Sequence, residues 1–208
     1  MRSLVDEKSI KEASEHAKHL FPTSSHHLHL AFAIPGILLP PEKNPNQIDY
    51  SNTLETFKVN TIGPMLLFKH FSSFLPSNSK QSSFEKGERE GEEYEGLNEH
   101  KAIWAMMSAR VGSVSDNKKG GWYSYRSSKA AVNQLVKSFH LHSTSSTTMV
   151  LGLHPGTVKT DLSKDYWGKG EGMLEKEESA EKLVELVRQA DEKFGGKIWD
   201  YKRDEVLP

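Results

Sequence analysis

Leu28-His29-Leu30-Ala31-Phe32-Ala33-Ile34 is nearly all apolar and stops at Pro35-Gly36. A short apolar run closed by turn residues reads as a strand buried on both faces, the kind a parallel sheet contains. Ala102-Ile103-Trp104-Ala105-Met106-Met107 and Met149-Val150-Leu151-Gly152-Leu153 repeat the pattern, and Lys197-Ile198-Trp199-Asp200-Tyr201 supplies a last short strand. The segments between these runs have helical spacing. Ile10, Ala13, Ala17 and Leu20 share one face of a helix over residues 9–20, and residues 52–75 form a long helix interrupted at Gly63-Pro64. Residues 125–139 and 180–190 form two more. Strand alternating with helix predicts an α/β protein built on a doubly wound, mostly parallel sheet.

The 208 residues make room for one domain, 1–208, and the composition of residues 76–99 sets them apart as a disordered, acidic insertion rich in Ser, Gly and Glu. The formal net charge of -1 offers no field to attract nucleic acid or an anionic membrane. With 0 Cys, no disulfide, thiolate metal site or cysteine nucleophile is possible. The longest apolar stretch is too short to span a bilayer, and Met1-Arg2-Ser3 leads into charged residues rather than an apolar leader. The expected location is therefore cytoplasmic. His26, His27 and His29 crowd one strand, but no carboxylate or thiol joins them to complete a metal site. Gly168-Lys169-Gly170-Glu171-Gly172 and Gly195-Gly196-Lys197 lack the spacing and context of phosphate loops.

Chemistry concentrates at Tyr125-Arg126-Ser127-Ser128-Lys129. On a helix the phenol and the ammonium lie one turn apart on one face, and a nearby positive charge favours the phenolate, so the pair can move a proton. With 6 tyrosines in a lysine-rich chain, such a pair also arises by chance. Its position gives it weight: it opens a helix just after a buried strand, at the carboxyl edge where open α/β sheets bind their ligands. The next strand ends in a second loop of that edge, His154-Pro155-Gly156-Thr157-Val158-Lys159-Thr160-Asp161.

Taken in this order, these motifs resemble the short-chain dehydrogenase/reductase family, in its carbonyl-reductase branch of C-factor-like and sniffer-like proteins. The resemblance covers the chain from the first helix to Pro208, apart from the acidic insertion. It implies a Rossmann-like fold and NAD(P)-dependent hydride transfer to or from a small carbonyl or alcohol substrate, with NADP favoured over NAD. It implies catalytic roles for Tyr125 as proton donor or acceptor, for Lys129 as its partner and ribose ligand, and for Asn60 of Val59-Asn60-Thr61-Ile62-Gly63 in a proton relay. Gly36, Lys129, Pro155, Gly156, Val158 and Thr160 match cofactor-binding positions. The substrate serine has two candidates, because the usual Ser-Ser-x-x-Gly appears as Ser108-Ala109-Arg110-Val111-Gly112. Ser108 stands beside the alanine, and Ser113 stands near the family's customary distance from the tyrosine. Where the family has Asn-Asn-Ala-Gly, this chain has Ala33-Ile34-Pro35-Gly36.

No Gly-x-Gly-x-x-Gly turn precedes the first strand, so the expected fold is truncated at its N-terminus, with the first two or three strands missing. The first apolar strand would then be an open edge. Two functions stand open at this point: an active oxidoreductase, homo-oligomeric through its two long helices, or an inactive fragment or pseudoenzyme that acts through subunit interaction.

Overall fold

A computed structural model describes residues 5–76, 102–143, 148–167 and 172–208. Helix α1 (Glu7–Leu20) is capped by Asp6, whose carboxylate accepts the Lys8 N–H at 3.1 Å. The chain enters strand β1 (Leu30–Ala33) and then helix α2 (Tyr50–Phe57), capped by Asp49. A π-helical turn, Lys58–Ile62, joins α2 to helix α3 (Gly63–Phe71). Pro64 causes the break, because it has no N–H to give to the carbonyl four residues earlier, that of Asn60.

Strand β2 (Ala102–Met107) leads to the 20-residue helix α4 (Tyr123–His142), strand β3 (Thr148–His154) and helix α5 (Lys176–Arg188). Strands β4 (Ile198–Asp200) and β5 (Glu205–Val206) complete the sheet. The order is β1-β2-β3-β4-β5. The first four strands are parallel and β5 turns back antiparallel, a strand too short to show in the sequence pattern.

Side chains of β2 alternate between two cores, as the pleat requires. Trp104 and Met106 pack with Phe68 of α3, Val132 and Val136 of α4, and Val150. Ile103 and Ala105 face the other way, toward Leu151, Leu153, Leu183, Leu186 and Val187. Phe68 stacks on Phe139 at 3.9 Å and meets Trp104 edge-on at 5.1 Å, so α3 and α4 are locked on one side of the sheet. Gly152 leaves room for the Ile198 side chain where β3 pairs with β4: a Cβ there would lie 2.2 Å from Ile198 Cδ1.

The expectation of two buried faces fails for β1. Phe32 is 39% exposed and Ile34 60%, because β1 is the edge of the described sheet and no described element packs on its outer face. The predicted acidic insertion lies outside the described residues save for Pro76, as does most of the glycine-rich run at 168–172. Among the described residues no helix is long and apolar enough to cross a membrane, and no group of three metal-ligating side chains occurs.

Leu151 is fully buried between β2 and α5. Leu151→Ala should lower the unfolding free energy by about 2–5 kcal/mol, read from the shift of the urea midpoint at unchanged slope.

Candidate active site

The carboxyl ends of β1, β2 and β3 and the first turns of α4 meet at one edge of the sheet. Helix α4 is reached through three successive left-handed residues, Gly120 (φ 63°), Gly121 (φ 65°) and Trp122 (φ 56°). Tyr125 and Lys129 follow on the same face of the helix, with Lys129 Nζ 5.9 Å from the Tyr125 ring centroid. Lys129 is only 2% exposed, and its Nζ donates to the Met107 carbonyl at the end of β2, at 3.0 Å.

Burial governs how both groups ionise. Loss of hydration pushes the Tyr125 phenol up to about 12 and pulls Lys129 down to about 8. The ammonium is directed at the Met107 carbonyl, and burial alone accounts for the rise of the phenol. Near neutral pH the phenol therefore keeps its proton.

Asn60 is fully buried on the π-helical turn. Its Oδ1 accepts the Ile37 N–H at 2.8 Å, and its Nδ2 donates to the Ile37 carbonyl at 3.0 Å and to Ser128 Oγ at 3.1 Å. It thus ties the loop after β1 to α4, one residue before Lys129. A Cβ on Gly36 would lie 3.6 Å from Lys129 Nζ and 3.9 Å from Asn60 Oδ1, which places Gly36 against the same cluster.

The two candidate serines are engaged elsewhere. Ser108 is buried and donates to Asn133 Oδ1 at 2.5 Å, holding β2 to α4. Ser113 is buried and accepts the Asp116 N–H at 3.0 Å, which closes a turn. Of the remaining predicted positions, the Pro155 carbonyl accepts the Ser179 hydroxyl at 2.8 Å, fastening the loop after β3 to α5. Gly156 is left-handed (φ 82°), and any Cβ would press on the Tyr201 ring at 2.8 Å. Val158 bridges to Leu174, and the Thr160 N–H is received by Ser163 Oγ at 3.2 Å.

His154, at the base of this loop, is pulled down to about 4 by burial and by Arg110, against the pull of Asp200. Its Nδ1 is a buried atom without a hydrogen-bond partner. Burial would raise Asp200, but the N–H groups of Asp204 and Lys202 and the Arg110 guanidinium outweigh it and leave the carboxyl low.

Besides Tyr166, which the sequence offers as an apolar candidate in the loop after Thr160, the structure brings in residues that no motif marks. A cleft beside Tyr125 is walled by Glu42, Gln47, Asp49, Asn52 and Ser124. Trp122 meets Tyr125 edge-on at 6.2 Å, and Tyr166, from the loop after β3, packs on Trp122 at 5.2 Å. Glu42 lies 82 positions before its partner Ser124, so no local pattern pairs them.

No family profile matches the chain. It is 28% identical over 171 residues to the 1-hydroxy-2-glutathionyl-2-methyl-3-butene dehydrogenase of Rhodococcus sp. (strain AD45), covering 82% of this chain and 64% of that protein. The chain thus spans less than two thirds of that relative's length. It is 28% identical over 159 residues to the C-signal protein of Myxococcus xanthus, covering 76% of this chain and 80% of that one. Among solved structures, the NADPH-bound carbonyl reductase from chicken fatty liver matches with TM-score 0.78 at 25% identity, covering 99% of this chain and 75% of the other. The carbonyl reductase Sniffer of D. melanogaster shares the fold with TM-score 0.81 at 23% identity, covering 99% and 76%.

Lys129 makes stability depend on pH. Between about pH 8 and pH 10.5, its ordinary value, the folded lysine has lost its proton and the unfolded one keeps it. The unfolded state binds more protons there, so stability rises with pH by on the order of 3 kcal/mol across that window. Lys129→Met should abolish the rise, as followed by urea midpoints through the same range.

Proposed function

We propose that the chain, which is similar to a bacterial dehydrogenase, to the C-signal protein and to an NADPH-bound carbonyl reductase, is a short-chain dehydrogenase/reductase and carries the proton-transfer side of an NADP(H)-dependent carbonyl reductase. The observation that carries this reading is the pairing of a buried, protonated phenol with a buried lysine at the carboxyl edge of a parallel sheet. The local residues fit the nicotinamide end of the cofactor. Gly36 leaves its Cβ space open against Lys129 and Asn60, and Gly156 adopts a turn that only glycine takes without strain. Gly36, Lys129, Pro155, Gly156, Val158 and Thr160 would hold that end. Bound there, the cofactor supplies the hydride to the carbonyl carbon.

The chain's own residues manage the proton. As the carbonyl becomes an alkoxide, Tyr125 gives its hydroxyl proton to that oxygen, and the product leaves as an alcohol. An alkoxide is a stronger base than a phenolate, so a phenol with a raised pKa still transfers its proton downhill. Lys129, charged below about pH 8, offsets the phenolate left behind, and Asn60 holds the loop after β1 against it. The adjacent cleft, lined by Gln47, Asp49 and Asn52 together with Leu39, Pro40 and Pro41, offers a carbonyl compound both hydrogen-bonding and apolar contacts.

A second reading, an inactive fragment acting through subunit interaction, is favoured by the apolar edge that β1 presents through Phe32 and Ile34. Cofactor binding separates the two. Titration with NADPH, followed by the change in its fluorescence, should saturate for the reductase, whereas no binding at millimolar NADPH sinks that reading. Tyr125→Phe should lower kcat by roughly 10²–10⁴-fold while NADPH affinity stays within about twofold; retained turnover would remove Tyr125 from its role.

A further inference from the structure

We propose that Glu42 is a positioning residue for Tyr125: from the loop after β1 it caps the helix that carries the phenol. The proposal rests on the reading of Tyr125 as proton donor. Helix α4 needs such a cap. Its N-cap residue, Trp122, has a left-handed backbone and makes no capping bond with its side chain, so the first N–H groups must find acceptors elsewhere.

Glu42, 7% exposed, provides them. Its main-chain carbonyl accepts the Trp122 N–H at 2.6 Å. Its carboxylate lies 3.4 Å from the Ser124 N–H through either oxygen, and it also accepts the Ser124 hydroxyl. A carboxylate can only accept, so the single hydroxyl proton of Ser124 is committed to Glu42. Thr53 Oγ1, 2.8 Å from Ser124 Oγ, must then be the donor in that contact. The chain Thr53 to Ser124 to Glu42 therefore has one direction and fastens the residue before Tyr125 to α2 and to the β1 loop at once.

No cationic side chain is ion-paired or hydrogen-bonded to Glu42 among the described residues. The positive end of α4 is the counter-charge at hand. The backbone leaves no slack: a Cβ on Gly121 would lie 3.2 Å from the Glu42 carbonyl oxygen. Without this anchor the first turn of α4 is free to shift. Tyr125 would move with it, while Lys129, one turn deeper and held by the Met107 carbonyl, would not.

That difference gives the test a signature. In Glu42→Ala, kcat should fall by about tenfold or more while NADPH affinity is unchanged. Hydrogen exchange of the amides of residues 122–125 should accelerate by about tenfold, with residues 132–139 unaffected. Glu42→Gln retains an acceptor oxygen and should recover most of both losses, and it serves as the probe if the alanine variant does not fold. Unchanged exchange at residues 122–125 overturns the proposal, as does an unchanged kcat in Glu42→Ala when Tyr125→Phe is inactive. If Tyr125→Phe is itself fully active, the proton-donor reading fails instead, and the exchange rates alone still decide whether Glu42 anchors the helix.

Discussion

A lysine with 2% of its surface in water is the constraint around which this edge of the molecule is arranged. Lys129 reaches through the packed base of α4 to the carbonyl that ends β2, and that single bond satisfies an ammonium which burial has made costly to charge. The approach is possible only because the chain beside it is small. A Cβ on Gly112 would collide with the Lys129 main chain at 2.7 Å. The helix, two strand ends and the π-helical turn are thus drawn to one point.

Desolvation then shifts the two titrating groups in opposite directions. The phenol resists losing a proton and the lysine resists keeping one, so their pKa values, ordinarily 10.0 and 10.5, come to lie on opposite sides of those figures. A phenol that keeps its proton thus stands beside a cation that burial makes only marginally stable. The Arg110 bridge to Asp116 and Asp200 is more conventional: a guanidinium links the end of β2 to the end of β4 and holds Asp200 ionised at 4% exposure.

Much of this was legible in the chain. The strands of residues 102–107 and 149–153 follow from apolar runs that nothing but a two-faced burial explains, and the structure returns them almost unshifted as β2 and β3. The break at Gly63-Pro64 is equally direct, since a proline cannot donate to the turn before it. For residues 28–34 the expected open edge is where β1 stands in the described sheet, but burial on both faces was overstated, because an apolar run reports what a strand can bury and not whether a neighbour is there to cover it. For Ser108 and Ser113, composition left a catalytic and a structural role open. The structure uses both hydroxyls in local bonds, which depend on where Asn133 and the Asp116 amide happen to lie.

By itself, the order of apolar runs and helical segments determined the α/β architecture, and the i, i+4 spacing put Tyr125 and Lys129 on one helix face, because both depend only on backbone periodicity. The tertiary structure decided how those side chains ionise and what holds them. Glu42 meets Ser124 across 82 residues, Asn60 meets Ile37 across a crossover, and Tyr166 meets Trp122 from a different loop. Burial and such long-range contacts exist only once the sheet has brought distant segments to a common edge, so the electrostatics of the site belong to the fold rather than to any motif.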